Sequence, residues 1–84
     1  MEKDSIYRTS DTTLAAYLIT EQNTLLCIDY EQPRFEFAFP DSSEIRNSVT
    51  KYISGNALTD PSTFARVNRK LLRILRKQCQ WEDD

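Results

Sequence analysis

The sequence predicts an α+β fold: an antiparallel β-hairpin, with a short N-terminal third strand as an option, packed against three helices in the order (β)-α-β-β-α-α. Three observations predict it. Phe35, Phe37 and Phe39 alternate with Arg34, Glu36 and Ala38, the two-residue period of a strand with one buried face. A second β-like run, Leu25 to Tyr30, precedes it, and Glu31, Gln32 and Pro33 make the turn between them. Between Pro61 and Gln80, apolar and basic residues separate onto opposite sides of one helix.

Each element has a local cause. Ile6 to Thr9 forms either a short strand or an extended arm. Ser10 or Asp11 then offers an N-cap, because its side-chain oxygen can accept from the free amides of a first turn. The first helix runs from about Thr12 to Gln22, with Leu14, Tyr17 and Leu18 facing inward and Ala15 and Ala16 permitting close packing. Asn23 and Thr24 break it. A bare hairpin is marginal alone, so the three phenylalanines need the first and third helices as cover.

Pro40 ends the second strand of the hairpin. Asp41 and Glu44 have capping-box spacing, and a helix from about Ser42 to Ser54 follows, with Ile45, Val49, Tyr52 and Ile53 as its inner stripe. Gly55, the only glycine, stands where a helix C-terminus wants a left-handed residue. Asp60-Pro61 starts the last helix: the aspartate caps, and proline fills the first position at no hydrogen-bond cost. That helix is expected to be one rod over residues 61–80, roughly 30 Å long.

With 84 residues, the chain is read as one domain over 1–84, with loose tails at 1–5 and 81–84. So short a domain hides only about 60–65% of the surface its unfolded chain exposes, so each buried aromatic matters. The sequence begins with no export signal, and its longest early apolar run, Leu14 to Ile19, is too short for a membrane span, so a cytoplasmic protein is expected. Cys27 lies in an apolar run and Cys79 continues the stripe of the last helix. Two buried, reduced thiols are expected, with a strand-to-helix disulfide as the alternative.

The missing residue types narrow the function. There is no histidine, which removes the commonest general base and metal ligand. A single glycine excludes Gly-rich phosphate cradles, and two cysteines without histidine cannot complete an ordinary zinc site. Asp29, Glu31 and Glu36 lie on or beside the hairpin, where solvent-face alternation explains them without catalysis. Tyr7, Tyr17, Tyr30 and Tyr52 are expected as half-buried wall. No cofactor, metal or catalytic residue is called for, and an enzyme is not expected.

The charge distribution is the strongest functional signal. Residues 1–60 hold five basic and ten acidic side chains, residues 61–80 hold six basic and none acidic, and Glu82, Asp83 and Asp84 follow. Arg66, Arg69, Lys70, Arg73, Arg76 and Lys77 fall within an arc of roughly 120° at about 100° per residue. Two explanations compete. The face can be a rail for nucleic-acid phosphates or an acidic protein. It can equally be a solvated face of good helix formers that complements the helix dipole. Ordinary solvated helices mix signs in i,i+4 pairs, and this face does not. Trp81 is a candidate partner anchor, or it folds back over the helix end.

Several segments resemble a family of short prokaryotic and phage-associated domains without assigned function: Tyr7-Arg8-Thr9-Ser10-Asp11, Leu14-Ala15-Ala16-Tyr17-Leu18, Phe35-x-Phe37-x-Phe39, Tyr52-Ile53-Ser54-Gly55-Asn56-Ala57-Leu58 and Asp60-Pro61-x-x-Phe64. The resemblance covers roughly Tyr7 to Leu75. Its motifs are packing and turn residues, so it speaks to fold and supplies no catalytic or binding residues. It implies a partner-binding or nucleic-acid role over metabolism. The expectation is therefore a non-enzymatic binding module acting through protein contacts, with a second copy of the chain as one candidate partner. A nucleic-acid accessory protein using Arg66, Arg69, Lys70, Arg73, Arg76 and Lys77 is the alternative.

Overall fold

The computed structural model describes residues 5–31 and 33–81. Its elements run β1 (Ile6–Thr9), α1 (Thr12–Thr20), β2 (Cys27–Asp29), β3 (Glu36–Pro40), α2 (Ser43–Ser54) and α3 (Pro61–Lys77). The three strands form one antiparallel sheet in the order β1-β3-β2. The optional N-terminal strand is therefore present, on the far side of β3 from its hairpin partner. The register sets Tyr7 beside Phe39 and Thr9 beside Phe37, with Ile28 on the other side of Phe37. The Phe37 and Phe39 rings are fully buried on this face, while Phe35 is half-buried and meets Phe37 edge-on at 5.4 Å.

α1 is the central helix. Leu14, Ala15, Ala16, Tyr17 and Leu18 are all buried, so every side of its middle turn is covered. The core joins it to Ile28, Phe37 and Phe39 of the sheet, Ile45 of α2, and Val67, Leu71 and Ile74 of α3. Tyr17 also stacks at a tilt on Tyr52, with ring centroids 5.9 Å apart. Of the four tyrosines, Tyr17 is fully buried and the other three are half-buried.

The N-caps follow local chemistry, with one correction. Asp11 accepts from the Leu14 N–H, and Asp60 accepts from the Thr63 N–H and hydroxyl at 2.9 and 2.7 Å. At α2 the cap is Ser42, whose Oγ accepts from the Ile45 N–H, and Asp41 with Glu44 is not a capping box. Asp41 is engaged elsewhere: Arg46 grips its carboxylate with two bonds of 2.9 Å.

The C-termini end short of expectation for one shared reason. Gln22 and Gln78 both adopt left-handed backbone, so α1 stops at Thr20 and α3 at Lys77. The amides beyond them turn back onto the helix: Asn23 N–H to Leu18 O, and Cys79 N–H to Ile74 O, each at 3.0 Å. Cys79 therefore leaves the apolar stripe. Both Cys27 and Cys79 are free and exposed, which overturns the expectation of buried thiols. Cys27 shares a sheet face with Arg8 and Ala38, opposite Ile28 and the core. Ile53 is 76% exposed and leaves the inner stripe of α2, because it lies about 80° round the helix from the buried Ile45. The strands are shorter than the runs that predict them, with Leu25, Leu26, Tyr30, Arg34 and Phe35 outside them.

The expected loose tails fall largely on residues 1–4 and 82–84, outside the described residues. Of the others, Ser5 accepts from the Asp41 N–H, and Trp81 packs against the core.

Candidate functional site

α3 is held by its apolar side. Asp60 and Pro61 start it, and Val67, Leu71 and Ile74 are buried against α1 and the sheet. Burying that stripe turns the opposite arc outward. Arg66, Arg69, Arg73, Arg76 and Lys77 are exposed, and Lys70 is half-buried. All six lie on one uninterrupted helix, and from Arg66 to Lys77 they span about 16 Å of its length.

No carboxylate of the described residues pairs with those five exposed cations. Ion pairs run instead from Arg8 to Asp29 and Glu36 (3.9 and 3.7 Å) and from Arg46 to Asp41 (2.9 Å). Asp29 and Glu36, considered above as carboxylates on a solvent face, are thus partners of Arg8 on that face. Asp60, the acid nearest the start of α3, is held below the usual carboxylate range first by the Thr63 hydroxyl and amide and then by the Arg66 charge. At the other end, Arg76 and Lys77 occupy the last turn, where cations complement the negative end of the helix dipole.

Trp81 folds back. It is half-buried and packs against the core, with the Lys70 Nζ 4.2 Å from its ring centroid, a cation–π contact. The chain is brought there by two ties that sequence reasoning missed. The Gln80 side chain bonds to the Ile28 backbone, and the Tyr30 hydroxyl donates to the Cys79 carbonyl at 2.6 Å. These contacts join residues 49 and more positions apart, for which no local pattern exists.

Leu72 also departs from expectation. The separation of apolar from basic residues over 61–80 puts Phe64, Val67, Leu71, Leu72, Ile74, Leu75 and Cys79 in one stripe, yet Leu72 is 47% exposed. Its helical angle sets it at the rim of that stripe, next to Arg69 and Arg76, and that angle was the available signal.

Trp81 forms one wall of a cleft of about 350 Å³ completed by Ile19, Gln22, Asn23, Thr24 and Leu25. No carboxylate, amine or thiol lines it. No group of three or more metal-ligating side chains comes together among the described residues, and none of their helices is long and apolar enough to cross a membrane.

Compared with protein-family models, with curated proteins and with solved structures, the chain matches none of them.

Proposed function

We propose that this chain is a small non-enzymatic binding module that acts in the cytoplasm through protein contacts, meeting an acidic partner with the basic face of α3. The observation that carries this reading is the set of five exposed cations on one helix without a carboxylate partner among the described residues. A charge set left uncompensated on an otherwise acidic body attracts an anionic surface and steers its approach. The exposed aliphatic side chains of Ile53, Leu58 and Leu72 favour a protein partner, which buries such groups and gains by it. A role beside phage or mobile-element components agrees with the family resemblance.

A nucleic-acid role is the second reading, favoured by the run of cations over about 16 Å with no interrupting acid. Self-association fits only if α3 of one copy meets the acidic body of another, since a symmetric α3-to-α3 contact would oppose like charges.

A pull-down from the native host, with nuclease-treated and untreated lysates compared, separates the readings. A partner retained after nuclease treatment supports the protein reading. A partner lost with the nucleic acid, together with direct DNA or RNA binding that falls steeply with salt, supports the second. Light scattering that shows a monomer at high concentration removes self-association.

A further inference from the structure

α3 carries a second, narrower pattern beside its basic arc. Ala65, Asn68, Leu72 and Leu75 follow one another at spacings of three, four and three, the step of a helix–helix seam. None of the four is fully buried: Leu72 is 47% exposed, and the other three are half-buried, Leu75 with its inner side against the core. The fully buried residues of α3, Val67, Leu71 and Ile74, lie on the other side of the helix from Leu72. Arg69 and Arg76 each directly follow an inner residue of the seam, Asn68 or Leu75, where flanking charges choose the partner in paired helices.

We infer that this seam docks an acidic amphipathic helix of a partner protein, whose apolar stripe covers Leu72 and Leu75 and whose carboxylates meet Arg69 and Arg76. The inference rests on the reading that α3 is the contact surface, and it names the partner. Charge complementarity decides the occupant. A second copy of α3 would bring arginines against arginines across the seam. A phosphate backbone would use the cations and leave Leu72 in water. An acidic helix satisfies both: its apolar stripe removes Leu72 from water, and its carboxylates pair with guanidinium groups that have none among the described residues.

Three probes titrated into the full chain by calorimetry test it: a synthetic helix of about five turns with a leucine stripe flanked by glutamates, a glutamate homopolymer of equal charge, and a DNA duplex. At physiological salt the striped helix should bind about three- to tenfold tighter than the homopolymer, the margin that covering the exposed half of one leucine supplies. Leu72→Ser should erase that margin and leave homopolymer binding unchanged, while Arg69→Glu with Arg76→Glu should weaken both. Leu72 is half in solvent, so circular dichroism should show both variants folded. Equal affinity for the two polyglutamates, or a Leu72→Ser variant that binds the striped helix like the parent, overturns the inference. Binding of the homopolymer or DNA in that case keeps the wider anion-binding reading alive. Failure of all three probes to bind overturns both.

Discussion

The side-chain amide of Gln80 bonds to both backbone groups of Ile28. The Ile28 N–H donates to Gln80 Oε1 at 2.7 Å, and Gln80 Nε2 donates to the Ile28 carbonyl at 2.8 Å. One side chain thus stands in for a peptide unit of an additional strand along the outer edge of β2, a three-residue strand whose other edge pairs with β3. Closing an edge this way satisfies polar groups that would otherwise invite another chain. It also tethers the segment after α3 to the sheet, together with the Tyr30 hydroxyl on the Cys79 carbonyl.

Gln80→Ala removes both bonds and should cost about 1–3 kcal/mol, lowering Tm by about 4–8 °C for each kcal/mol lost. Tyr30→Phe should cost about 1 kcal/mol. Because both ties hold one segment, the double variant should lose less than the two single losses added together. Thermal melts of the four proteins decide it, and strict additivity would show that the two contacts act independently.

The helix ends predict opposite effects from glycine. Gly55 has φ +81°, and a Cβ there would meet nothing within 4 Å. Gly55→Ala should therefore cost about 1 kcal/mol, all of it from forcing a side-chain residue into left-handed backbone. Gln22 already bears that strain at φ 70°. Gln22→Gly should stabilise by about 0.5–1 kcal/mol, less the added freedom of the unfolded chain. Denaturant midpoints at constant m-value report both.

Stability should fall at both ends of the pH scale. Asp41, held by the Arg46 guanidinium, and Asp60, held by Thr63, titrate below the ordinary carboxylate value of 3.8. Groups lowered on folding contribute fully above that value and lose their contribution as pH falls through the lowered native values. Burial, the first cause in each case, raises Tyr7, Tyr17, Tyr30 and Tyr52 above the ordinary value of 10.0. Their contribution is complete below pH 10 and is lost as pH climbs through the raised native values. Melts across the pH range, with tyrosinate absorbance followed in parallel, should show ionisation and unfolding together on the alkaline side. Tyrosines that ionise near 10 in the folded protein would contradict it.

Both thiols should react with an aromatic disulfide reagent in the folded state at rates close to those of the unfolded chain, since Cys27 and Cys79 are free and exposed. A native protein that reacts only after denaturant is added would restore the buried arrangement that the apolar neighbours of Cys27 suggest.

What the sequence makes legible is what neighbouring residues decide. Alternation through Phe35, Phe37 and Phe39 finds the core strand, and Asp11 and Asp60-Pro61 find two helix starts, because a cap needs only the first turn it serves. The same local logic mistakes Asp41 for a cap, since its real partner is Arg46, one turn further on and equally eligible. It also leaves Leu72 in the apolar stripe, although its angle at the rim beside Arg69 and Arg76 already marks it as the residue a narrow covering surface leaves in water. Gln80 on Ile28 and Arg8 on Asp29 join elements distant in sequence, so only the assembled sheet brings them together. The six cations of the candidate site are legible one by one, but whether acids of the same body quench them is a three-dimensional fact.

The most direct test compares the parent chain with an Arg69→Glu, Arg73→Glu double variant in binding a glutamate homopolymer and a DNA duplex over a salt series, with circular dichroism confirming the fold of both. The parent should bind at least one of the two at low salt, with affinity falling as salt rises, and the variant should lose that binding while staying folded. A parent that binds neither at low salt, or a folded variant that binds as well as the parent, would contradict the assignment of α3 as the contact surface.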